Sequence, residues 1–140
     1  MFSTTHSHPM LVHFPIALIL FGFLALFISL TIKKDSAWSK TAFYALIFGT
    51  LSAFFSWLTG QLFTGEMTGP AGEVKETHEL FANITLSLLI LTTIVHLLLN
   101  KNENLRMKHV MIVLYTLAAI SVAITGFYGG TLVYLYLMPL

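Results

Sequence analysis

The stretch MLVHFPIALILFGFLALFISLTI, residues 10–32, contains no carboxylate, lysine or arginine and a single imidazole. Its length matches the about 20 residues that a helix needs to cross the hydrocarbon core of a bilayer. Three more apolar runs follow, at about 41–63, 79–99 and 109–136. Backbone polar groups in lipid must be bonded within their own segment, so all four runs are expected to be helical. The chain has 140 residues, 56% of them hydrophobic and 9% charged, and the charges fall in three short stretches between the runs. That composition argues against a soluble domain and predicts one all-α domain over residues 1–140, an integral membrane four-helix bundle.

The charges also predict an orientation. Lys33, Lys34 and Lys40 lie between runs one and two, and Lys101, Arg106 and Lys108 between runs three and four. The connection between runs two and three holds Glu66, Glu73, Glu76 and Glu79 against Lys75 alone. The positive-inside bias then puts both termini and the acidic connection outside, on the periplasmic face of a bacterial inner membrane. No Lys or Arg precedes the first run and no small-residue cleavage site precedes Lys33-Lys34-Asp35, so this run is expected to stay in the mature protein. With a net charge of +1 and no basic tract, nothing points to nucleic acid. The absence of cysteine excludes disulfides, thiolate metal sites and covalent haem attachment in this chain.

Imidazoles remain as the chemistry-bearing groups. His8 and His13 open the first run and His78 the third, all at the same membrane face, where Gly126, Gly129, Gly130 and Tyr134 close the fourth. Ionisable groups are costly near hydrocarbon, which makes such a cluster a functional-site candidate. His8 and His13 are five apart, about 140° around a straight helix, so both reach one site only with help from the helix end or from a bend. Pro15 removes a backbone bond to the helix entry and predicts a bend near His13. In the third run His78, Ala82, Thr85, Leu89, Thr92 and His96 share one face, because their offsets each return to within about 40° at 3.6 residues per turn. That polar stripe is expected to face the bundle interior, with Leu80, Ile84, Leu88, Leu91 and Val95 toward lipid.

Two chemistries suit this cluster. A b-type haem needs two axial ligands on facing helices and a flat apolar slot. His13 and His78 are the candidate axial pair, Gly126, Gly129 and Gly130 the slot, Phe14, Phe81 and Phe127 the packing rings, and Tyr134 a hydrogen-bond donor. The alternative is a copper or zinc site in which His8 joins His13 and His78. A third reading is a structural membrane subunit that holds no cofactor. His96 and His109 border the basic connection, where interfacial placement suffices, and are left unassigned. The small residues of run two, Ala45, Gly49, Ala53 and Gly60 with Ser52 and Ser56, form a packing stripe that serves either the bundle or a homo-oligomer.

The blocks His8-Pro9-Met10-Leu11-Val12-His13-Phe14-Pro15-Ile16-Ala17-Leu18, Ser56-Trp57, His78 with Asn83, and Gly126-Phe127-Tyr128-Gly129-Gly130-Thr131-Leu132-Val133-Tyr134 resemble the bacterial membrane family called domain of unknown function 2231. The resemblance spans nearly the whole chain and implies a four-helix membrane domain. Some members look joined to Rieske-type iron–sulfur or cytochrome c-like modules, which implies redox work and favours a membrane-bound electron carrier over a stand-alone enzyme. This chain carries no such module, so a quinone or a separate periplasmic redox protein is the implied partner. It departs from the family at Leu137-Met138-Pro139-Leu140, where a glycine-rich tail is expected.

Overall fold

The computed structural model describes residues 7–31, 36–101 and 104–137. Lys33, Lys34, Asp35 and the tail 138–140 lie outside the described residues. Four long helical spans run up and down. The first is α1 (Ser7–Leu11) followed by α2 (His13–Thr31), the second α3 (Ser36–Phe63), the third α4 (Pro70–Leu99). The fourth is α5 (Leu105–Thr131), which runs into a π-helical segment (Leu132–Leu137). The chain is an all-helical integral membrane four-helix bundle.

Pro15 accounts for the break between α1 and α2. It has no N–H to give the Leu11 carbonyl, so the chain turns at Val12, held by Val12 N–H on the His8 carbonyl (3.2 Å) and Ile16 N–H on the Val12 carbonyl (3.4 Å). The other spans outrun the apolar runs that announce them. α4 starts at Pro70, nine residues before the apolar run, because proline suits a first helical turn and Gly69, at φ 64°, makes the turn into it. α5 starts at Leu105 under a cap in which the Asn104 side chain accepts from Arg106 N–H at 2.9 Å and Met107 N–H at 3.3 Å.

α2 packs most closely on α3, and α4 on α5, so the bundle is two antiparallel hairpins laid together. Small residues let α2 lie close to both α3 and α5: a side chain on Gly22 would meet the Tyr115 hydroxyl on α5 and the Ala45 methyl on α3, and one on Gly49 would meet Ile19. The Ala45 and Gly49 part of the small-residue stripe is therefore consumed inside the bundle. The core holds Ile19, Leu46, Leu89 and Tyr115, all fully buried. Phe21, Phe27, Phe48, Phe55, Leu91 and Ile120 are exposed around the outside, the distribution of a protein whose solvent is lipid. On α4 the inward stripe is buried at Thr85, Leu89, Thr92 and His96. Leu80, Ile84 and Leu91 are exposed as expected, but Leu88 and Val95 are half-buried against the core, because α4 touches α3 as well as α5.

Candidate functional site

The antiparallel hairpins bring α1, the 64–69 connection and the end of α5 to one end of the bundle, away from Lys40, Lys101, Arg106 and Lys108. His8 and His78 meet there. Their ring centroids are 6.4 Å apart and their planes 79° to one another. Each ring rests on a glycine of the following span: a Cβ on Gly60 would come 3.0 Å from His8 Cε1, and a Cβ on Gly129 would come 3.0 Å from His78 Cε1. The two hairpins thus build the same unit, a histidine opening one span and a glycine near the end of the next, at nearly equal spacing. The site is the place where the two units face each other.

Hydrogen bonds assign the tautomers. His78 Nδ1 lies 3.0 Å from the Thr125 carbonyl oxygen, which only accepts, so Nδ1 carries the proton and Nε2 the lone pair. His8 Nδ1 lies 3.1 Å from Thr59 Oγ1. The Thr59 hydroxyl gives its own proton to the Ser56 carbonyl at 2.8 Å, so it accepts from His8 Nδ1–H. Both imidazoles are half-buried and both keep a free Nε2 lone pair, the state in which protein holds a histidine ready to ligate a metal.

Beneath His78 three hydroxyls form a chain that ends on the Ser121 carbonyl. Thr125 donates to the Ser121 carbonyl at 2.9 Å, so it accepts from Thr85 at 3.0 Å, and Thr85 in turn accepts from Ser121 at 2.7 Å. Every donor is satisfied, and α4 is tied to α5 one turn below the carbonyl that orients His78. On the other side Trp57 Nε1–H donates to Asn83 Oδ1 at 2.8 Å and ties α3 to α4. Just outside the imidazoles is a polar cavity of about 270 Å³ lined by Gly60, Gln61, Glu66, Lys75, Glu76 and Glu79 among others, where Lys75 Nζ and Glu79 Oε1 pair at 2.6 Å.

The residues singled out by sequence divide into groups. His13, expected to pair with His78, is exposed, its Nδ1–H bonded to the Pro9 carbonyl one turn back at 2.8 Å. The break at Val12 keeps His8 on the inward side and leaves His13 outside, so His8 replaces His13 opposite His78. The three-histidine set His8, His13 and His78 is not assembled, and no group of three His, Cys, Asp or Glu able to hold an ion occurs among the described residues. Gly129 is at the site. Gly126, Phe127, Gly130 and Tyr134 instead line an apolar groove of about 380 Å³ on the outside of α5, with Thr131 and Leu135. Phe14 is exposed, and Phe81 stacks on Tyr128 at 6.1 Å between centroids and 12° between planes. His96 is buried against Phe43, while the exposed His109 bonds its own helix at the Leu105 carbonyl, so the two share no site. Sequence reading missed Thr59, Thr125 and Gly60. The repeated histidine-then-glycine spacing of the two hairpins was the available signal for Gly60.

The family model DUF2231, described as a predicted membrane protein, matches residues 5–138. No curated protein and no solved structure matches the chain.

Proposed function

The chain belongs to the DUF2231 family of predicted membrane proteins, and from that premise we propose that it is a membrane electron carrier in which His8 and His78 would hold a b-type haem. The observation that carries this reading is the His8–His78 pair itself. The ring centroids are 6.4 Å apart, and with both Nδ1–H groups bonded to protein oxygens each Nε2 lone pair is left for a metal that the pair would hold. The donor count supports haem over a bare ion. Zinc and copper(II) ask the protein for three or four ligands, whereas haem brings its own equatorial nitrogens and needs two.

A haem held there supplies one-electron exchange. The chain's own residues do the rest: Thr59 and Thr125 hold the imidazole tautomers, Gly60 and Gly129 let the rings lie against helix backbones, and the bundle keeps them at a fixed separation. With Lys40, Lys101, Arg106 and Lys108 at the opposite end, the positive-inside bias favours a periplasmic site in a bacterial inner membrane. A membrane quinone and a soluble periplasmic redox protein are then the fitting partners.

The test is an absorption spectrum of the detergent-purified full chain from haem-replete cells, oxidised and dithionite-reduced, with metal analysis. A Soret band that His8→Ala and His78→Ala each abolish and His13→Ala leaves in place supports the reading. No Soret band sinks it, and copper or zinc without iron at near-stoichiometric load transfers the site to a bare ion.

A further inference from the structure

We infer that Thr59 is a positioning residue that fixes the tautomer of His8, and that the two imidazoles of the site are held unequally. The inference rests on the two-imidazole reading for its purpose, though not for its geometry.

The acceptors differ in kind. His78 Nδ1–H sits on a main-chain carbonyl, at Thr125, which no side-chain substitution removes and whose residue is tied to α4 by the Ser121–Thr85–Thr125 hydroxyl chain. His8 Nδ1–H sits on a side-chain hydroxyl, 3.1 Å away on Thr59, with the Ser56 carbonyl as a further main-chain acceptor beside the ring. A free hydroxyl can donate as readily as accept, and a donating hydroxyl would favour the opposite tautomer, with the proton on Nε2 and no lone pair there for a metal. The Ser56 carbonyl prevents this by taking the Thr59 proton at 2.8 Å, which leaves the hydroxyl oxygen facing His8 as an acceptor. Thr59 is thus a one-way relay from imidazole to carbonyl. Such outer partners orient the ring and raise its basicity. His78 is therefore held through a main-chain atom, whereas the hold on His8 depends in part on the Thr59 side chain.

Thr59→Val keeps the shape of the side chain and removes the acceptor, and Thr59→Ser restores it. The experiment uses the full chain in lipid nanodiscs with ¹⁵N-labelled histidine, without haem, and reads long-range ¹H–¹⁵N couplings of each imidazole. His8 in the wild type and in Thr59→Ser is expected in the Nδ1–H form. In Thr59→Val its Nδ1–H to Nε2–H ratio falls about tenfold or more, while the His78 signals stay put and report an intact bundle. If His8 keeps the Nδ1–H form in Thr59→Val, the Ser56 carbonyl suffices alone and the inference is overturned. Should Thr59→Val not fold, Thr59→Ala gives the same two readings.

A second arm titrates hemin into both proteins. Loss of an outer ligand partner weakens binding about 10-fold to 100-fold, so Thr59→Val is expected to show that loss with recovery in Thr59→Ser; equal affinity in all three proteins counts against the positioning role. A wild type that binds no hemin ends the haem reading while the tautomer result still stands or falls by itself.

Discussion

Gly22→Ala tests the packing that holds the two hairpins together. A methyl at Gly22 falls against the Tyr115 hydroxyl and 2.8 Å from the Ala45 methyl. Tyr115 cannot give way easily, because it is fully buried and its ring packs edge-on against Phe23 at 5.9 Å between centroids. Over-packing a close-packed core costs about 1–3 kcal/mol, and two opposed contacts from different helices put this case near 3 kcal/mol. At about 2–4 °C per kcal/mol for a chain near this size, the thermal midpoint in detergent should fall by about 6–12 °C. The Tyr115 hydroxyl has no hydrogen-bond partner among the described residues. A buried polar group in that state costs about 1–3 kcal/mol, so Tyr115→Phe should stabilise by about 1 kcal/mol. The double variant removes one of the two clashes, and its stability should exceed the sum of the single changes by more than about 1 kcal/mol of coupling. Thermal unfolding followed by tryptophan fluorescence measures all three. A Gly22→Ala protein as stable as wild type, or a Tyr115→Phe protein that loses stability, would refute this account of the α2–α5 contact.

Two further predictions concern the site. Gly129→Val directs a branched side chain at His78 from 3.0 Å and should abolish uptake of the cofactor, whereas Gly130→Ala, which meets nothing within 4 Å, should leave uptake unchanged; the Soret band per protein decides both. Protons compete with a metal for the same Nε2 lone pairs, so occupancy should hold at neutral pH and fall as the solution is acidified. A cofactor whose absorbance is indifferent to mild acid in an otherwise folded protein would argue against imidazole ligation.

Much of the architecture was legible because lipid imposes a simple demand. A run such as residues 10–32 must be helical to satisfy its own backbone, and the polar stripe Thr85, Thr92, His96 must turn inward because hydrocarbon does not solvate it. The bend at Pro15 was equally local, since a missing N–H is a property of one residue. The helix starts were less legible: Pro70 and Asn104 lie outside the apolar runs, where capping chemistry rather than hydropathy decides.

The amino-acid sequence alone determined that four spans exist, that histidines and glycines collect at one end, and that His78 faces inward. Which histidine answers His78 was decided only by the tertiary structure. His8 and His13 diverge by about 140° on a helix, and only the turn at Val12 together with the docking of α1 on α3 selects one of them. That docking seats His8 on Gly60 and Thr59, residues more than fifty positions away. No local period encodes such a contact. It arises because two hairpins, each satisfying its own backbone, must still find packing surfaces for one another.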